Sequence, residues 1–314
     1  VTGLPFDTWV LLALVGGVAQ TTRNALAQSV ARQISPALNS WSRFTFCLPY
    51  AGLAVGVATL RGGWPDLSWP FLTFCLATAL TQLLGNVALV TAFRSGGFGE
   101  SIVFHKLEVV LTAVAGALFF HEAPGSLGAL GIGLCATGVV AINLAGSSSN
   151  AQAPRLITAL QRAVRFEPAA RWALVCAVLL VMAGFSLKFA NEALRANNPE
   201  ASFLIGAVHT LFHTTWMEVL MLSGWIAWRE PRSFRAVAHH WRRLALIGSA
   251  GFTASLCWFW AFSIAVVAYV KAVGQIEALL AVLLGMRVLG ERSLIRQAPG
   301  IALTLLGIVL VLVD

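Results

Sequence analysis

The chain has 314 residues, 58% of them hydrophobic and 11% charged, and its mean hydropathy is +0.80. Soluble domains hold roughly 45–50% apolar residues, so the composition argues against a water-soluble protein and for one folded in lipid. The formal net charge of +8 does not point to nucleic acid, because the arginines gather in short loops between apolar runs, where a membrane protein meets anionic headgroups.

Runs of about 20 apolar residues, the length that crosses a hydrocarbon core of about 30 Å, predict ten spans. They fall near 8–30, 37–60, 69–93, 97–120, 126–145, 171–195, 201–228, 243–264, 267–289 and 294–313. No basic segment precedes the first run and no small-residue cleavage site ends it, so it reads as a spanning helix and not as a cleaved signal peptide. Ser35-Pro36, Arg61-Gly62-Gly63-Trp64-Pro65, Ala123-Pro124-Gly125, Asn197-Asn198-Pro199 and Glu230-Pro231 punctuate the runs. One polar stretch, 146–170, divides the first five runs from the last five. Leu156, Leu160 and Val164 alternate there with Arg155, Arg162 and Arg165, which fits either an amphipathic helix on a membrane surface or a solvated linker. Cys47, Cys75, Cys135, Cys176 and Cys257 lie inside apolar runs without CxxC spacing, so they are expected as small buried hydrophobes, with no disulfide, zinc site or other cofactor.

Sliding the chain on itself by 169 residues brings Ala92-Phe93 onto Ala261-Phe262, Glu108 onto Glu277, Glu122 onto Glu291, Gly131 onto Gly300 and Gly138 onto Gly307. The expected fold is therefore all-α integral membrane, with ten transmembrane helices as two inverted five-helix repeats. Residues 1–145 form the first repeat, 146–170 the linker and 171–314 the second. An odd number of spans per repeat forces the second to enter the membrane from the opposite side. Inverted repeats with a site near the midplane are the build of secondary transporters.

Ionisable residues inside such runs are costly, so they face a cavity or a partner. Ser101, His105 and Glu108 share one helical face, while Lys106 lies about 100° from His105. In the second repeat Lys271 and Gln275 share a stripe and Glu277 repeats Glu108. Lys106, Lys271, Gln275 and His105 are thus candidate substrate contacts, and Glu108 and Glu277 either brace the helices or carry a coupling proton. The competing reading makes all of them internal ion pairs. Arg23 and Asn24 on the first helix, and Lys188 and Asn191 on the sixth, form polar strips that would line two vestibules. His209 and His213 have a spacing that two metal ligands could share, but no acid or cysteine nearby completes a set, and Glu218 lies over two turns from His213. No Walker-type glycine loop, HExxH pair or nucleophile elbow occurs, which argues against an ATP-driven pump and against an enzyme.

Two five-helix halves, each with an apolar helix, then His121-Glu122 or Gly290-Glu291, then a glycine-spaced last helix, resemble the EamA-type branch of the drug/metabolite transporter superfamily. Pro36 followed by Arg43 adds to the likeness; the second half has Pro199 but Gly206 where an arginine would match. The resemblance implies ten helices around a central cavity and substrates ranging from amino acids to drugs and sugar nucleotides. It implies cytoplasmic termini, whereas the loop arginines, concentrated after odd-numbered helices, would place both termini outside.

The expected function is secondary-active or exchange transport of a small polar metabolite, anionic or zwitterionic, in the cytoplasmic (plasma) membrane. The lipid bilayer and the small molecule are its partners; a coupling proton and a homodimer stay open, and no nucleic acid is expected. The rival within transport is an exporter of drug-like or cationic compounds, disfavoured by a first helix that carries Arg23 and no acid after Asp7. The rival outside transport is a membrane enzyme or scaffold that reuses the bundle.

Overall fold

The computed structural model describes residues 8–30, 33–95, 107–146, 168–280 and 294–314. The expectations for His105, Lys106, the surface helix within 146–170 and Glu291 lie outside the described residues. The regular structure described is helical throughout: α1 (Thr8–Val30), α2 (Pro36–Thr45), α3 (Leu48–Gly62), α4 (Trp69–Ser95), α5 (Glu108–Phe119), α6 (Ser126–Gly146), α7 (Pro168–Asn197), α8 (Phe203–Arg229), a 3-10 turn (Pro231–Phe234), α9 (Arg235–Ile264), α10 (Val267–Val273) and α11 (Leu294–Val313).

Four described stretches are long and apolar enough to cross a membrane: Pro36–Leu60, Trp69–Leu89, Ala170–Asn197 and Pro231–Ile264. Glu108–Phe119, Ser126–Ile142 and Gln297–Val313 are shorter apolar helices. α1 and α8 have the length, but Gln20, Arg23 and Asn24 in one, and His209, His213 and Glu218 in the other, dilute the apolar run.

Helix ends are set by local chemistry. The Ser35 side chain accepts the Leu38 N–H with Pro36 in the first turn, and Ser202 accepts the Ile205 N–H in the same way. Pro36 and Gly62 bound the α2–α3 stretch as Phe203 and Arg229 bound α8, with both limits displaced by 167 residues. The two copies differ inside: α8 runs unbroken, while α2 and α3 are separated by a turn at Phe46 and Cys47, where the Cys47 N–H bonds to the Phe44 carbonyl at 3.1 Å. α5 ends in a Schellman motif. His121 adopts φ of 54°, and the Glu122 N–H reaches back to the Gly116 carbonyl at 2.9 Å.

The chain forms two compact units, 1–80 with 185–264 and 81–184 with 265–314. In the first, Val30, Ile34, Leu38, Ile226, Leu244 and Ile247 form a buried apolar cluster joining α1, α2, α8 and α9. Phe71, Cys75, Ala190 and Leu194 form another. Trp41 and Trp258 are tied by their indole N–H groups, to Ser223 Oγ at 2.8 Å and Gln20 Oε1 at 3.1 Å.

In the second unit α6 and α11 cross at backbone contact. A Cβ built on Gly131 would stand 2.6 Å from the Gly307 carbonyl oxygen, and one on Gly138 would stand 2.7 Å from that of Gly300. Only residues without a side chain allow helices so close. At the other ends of these helices, the Tyr269 hydroxyl donates to the Asp314 carboxylate and accepts the Gly125 N–H at 2.9 Å. Glu122 Oε2 accepts the Val267 N–H at the start of α10, at 3.3 Å. The acid of the repeated His/Gly-Glu motif therefore caps a helix, and the residue before it supplies the left-handed turn.

Candidate functional site

Lys271 sits in the last turn of α10 and is 9% exposed. Its Nζ lies 2.5 Å from Glu108 Oε1, at the first residue of α5, and donates to the Leu180 carbonyl at 3.1 Å. Room for the lysine stem comes from Gly184, where a Cβ would stand 3.4 Å from both Lys271 Cε and Nζ. An ammonium so enclosed needs a counter-charge, and Glu108 gains in turn from the positive end of its own helix. Two of the three ammonium donors are thereby engaged. Gln275, 7% exposed, donates to the Lys271 carbonyl at 3.0 Å, and its Oε1 has no hydrogen-bond partner among the described residues. Glu277 follows, half-buried, in the helical stretch 276–280. The structure thus brings Lys271, Glu108 and Gln275 together in the second unit.

The vestibule candidates fall in the first unit. Arg23 is buried and donates through Nε and Nη2 to Asn24 Oδ1 at 3.2 and 2.7 Å, while Asn24 itself is exposed. Lys188 is half-buried on α7. Asn191 is 1% exposed; its Nδ2 donates to Ser263 Oγ at 2.6 Å and to the Phe203 carbonyl at 3.2 Å. Its close neighbour is Gly206, the position where the resemblance would have placed an arginine: a Cβ there would stand 2.7 Å from Asn191 Cγ.

A second polar cluster in this unit was not read from the sequence as a site. Thr210, Thr214 and Glu218 recur every four residues along α8 and are each at most 1% exposed. Glu218 and Arg43 of α2 act on each other electrostatically, with the Cys47 thiol in the same field and hydrogen-bonded to Thr215. Glu218 Oε1, Arg43 Nε, Thr45 Oγ1 and Thr210 Oγ1 have no hydrogen-bond partner among the described residues. Both nitrogens of fully buried His209 also lack one, and its ring stands edge-on to Trp64 at 5.3 Å. His213 donates through Nδ1 to the His209 carbonyl at 2.8 Å. Among the described residues no three His, Cys, Asp or Glu side chains are grouped to hold a metal ion. The signal that would have found the cluster is the four-residue stripe of 210, 214 and 218 in an otherwise apolar helix.

The sequence profile of the EamA-like transporter family matches residues 7–144 and again 170–313. A comparison with curated proteins yields no match. A solved structure titled "Crystal structure of protein" matches with a TM-score of 0.66 over 97% of this chain and 97% of its own, at 16% identity, which speaks for a shared fold. The two profile matches fit a two-repeat architecture and span most of the sequence. The chain is an integral membrane protein of the EamA-like transporter family, within the drug/metabolite transporter superfamily.

Proposed function

We propose that the protein is a secondary-active or exchange transporter that moves a small polar metabolite, anionic or zwitterionic, by alternating access. In this reading it crosses the plasma membrane ten times, as two inverted repeats of five, residues 1–145 and 171–314, joined by the linker 146–170. The observation that carries the reading is Lys271: a lysine enclosed among membrane helices, held by an acid from the other half of the sequence, with a donor to spare. A substrate oxyanion can take that donor, and charge-assisted bonds of this kind contribute about 1.5–3 kcal/mol.

Lys106, Lys271, Gln275 and His105 contact substrate in this scheme. Glu108 offsets Lys271 when no substrate is present, Glu277 is its counterpart, and either acid carries the coupling proton. Arg23, Asn24, Lys188 and Asn191 line the approaches. The pairing of Gly131 with Gly307 and of Gly138 with Gly300 supports inverted repeats, since each glycine meets the duplicate of the other.

The test is counterflow in proteoliposomes with a panel of carboxylates, phosphates and zwitterions. Uptake of a labelled panel member, accelerated by the same compound inside, is the expected result. No flux for any member, from correctly folded protein, would turn the reading toward a membrane enzyme or scaffold.

A further inference from the structure

We infer that Arg43 and Glu218 form a ligand site inside the first unit that recognises a small molecule with a negative and a positive end, a zwitterion. The inference rests on the transport reading and narrows its substrate class.

The argument is one of unmet demands. Arg43 and Glu218 are close enough to interact electrostatically, but they form no direct hydrogen bond: Arg43 Nε keeps an unused donor and Glu218 Oε1 an unused acceptor. Glu218 is 1% exposed, Thr210 is fully buried with a free hydroxyl, and His209 is fully buried with two free ring nitrogens. Leaving a buried polar atom unsatisfied costs about 1–3 kcal/mol, and more for a charged group. A fold that tolerates several such atoms on two facing elements, α2 and α8, holds them ready for something that arrives.

The types of atom define that visitor. A guanidinium N–H calls for an oxyanion, and a carboxylate oxygen calls for an ammonium or another N–H donor. A simple anion would satisfy Arg43 and be repelled by Glu218. A simple amine would meet the reverse. Only a ligand with both ends satisfies both residues, with Thr210, Thr45 and His209 left to bond its remaining polar atoms. The titratable and charged groups around Glu218 are Arg43 on α2, Cys47 beside α3, and His209 and His213 on its own helix.

Matched triplets test the inference on the purified full chain: L-alanine with propionate and ethylamine, and L-phenylalanine with 3-phenylpropionate and phenethylamine, each titrated by thermal shift. In at least one triplet the zwitterion is expected to bind about tenfold or more tighter than both truncated partners. Glu218→Gln should bring the matched acid close to the zwitterion, and Arg43→Gln should do the same for the matched amine, a crossed change in selectivity that lost packing would not produce. Should either variant fail to fold, Thr210→Val, near-isosteric, is expected to weaken the zwitterion about tenfold without changing its rank in the triplet. Wild-type protein that binds the acids as tightly as the zwitterions, or binds none of the six, overturns the site. Zwitterion binding without flux in proteoliposomes keeps the site and overturns transport; flux of acids in preference to zwitterions does the opposite.

Discussion

Cys135 meets its own duplicate: its Sγ lies 3.5 Å from the carbonyl oxygen of Thr304, 169 positions further along the chain. On either side the glycines cross over, 131 to 307 and 138 to 300. This is how a two-fold axis acts on an interface, with the contact made by one partner returned by the other. Here the axis runs through residues 135 and 304 of one chain. Because the helices touch through backbone, Gly131→Ala or Gly300→Ala should destabilise by about 1–3 kcal/mol, the usual penalty of overpacking. Gly133→Ala, where a Cβ meets nothing within 4 Å, should be neutral or stabilise by up to about 1 kcal/mol. Thermal melts of the three variants in one detergent check the contrast.

The Lys271–Glu108 pair, with 10% and 18% of the side chains exposed, predicts strong coupling. Glu108→Gln or Lys271→Gln alone leaves a buried charge without its partner and should cost about 3–5 kcal/mol. The double variant removes both charges and should recover most of that loss. A double-mutant cycle on melting midpoints measures the coupling, and additive effects would rule the pair out as a brace.

His121 adopts a left-handed φ of 54°, which costs a residue with a Cβ about 1–2 kcal/mol. His121→Gly should therefore raise the melting temperature, whereas His121→Val should lower it. A reversed order would mean that the His121 side chain makes up for the strain.

The Tyr269 hydroxyl and the N–H groups of Gly128, Gly125 and Leu127 hold the Asp314 carboxyl below its usual 3.8. A depressed carboxylate stabilises the folded state above its unfolded value and loses that contribution as pH falls through the folded value. The clasp should thus hold across neutral and mildly acidic pH and weaken only below 3.8. Hydrogen exchange at residues 125–128 should rise in Asp314→Asn at neutral pH, and in the wild type only at strongly acidic pH.

Gly206→Ala would push a methyl against Asn191 and strain its bonds to Ser263 and Phe203. A loss of about 1–3 kcal/mol is expected. Asn191→Ala should cost less in that background than in the wild type, because the bonds it removes are already broken.

What the sequence made legible was whatever repeats or alternates. Membrane residence follows from the apolar runs, and the offset of 169 brought together glycines and acids whose contacts share the same symmetry. The chemical types at 108, 271 and 275 stood out because charge is rare in such runs; which acid meets which base depends on helix rotation, which a span boundary good to a few residues does not fix. Arg43 and Glu218 stayed hidden for another reason. They lie on elements far apart in the chain, and Glu218 was weighed only against the metal-ligand spacing of His209 and His213. The φ of His121 is likewise a backbone property that the letters His-Glu do not carry, although glycine at 290, its duplicate, hints at it.

The turn at Phe46 and Cys47 makes the two copies of one element mechanically unlike. The α2–α3 copy has a joint, where the hydrogen-bond ladder tightens to three residues, and the α8 copy is a single rod. Gly248 of α9 lies against that joint, its absent Cβ leaving room for the Phe46 backbone at 2.6 Å. A duplication that began with equal halves has therefore become lopsided in stiffness: a load along the first copy is taken up by rotation at two residues, and the same load along the second is spread over its whole length.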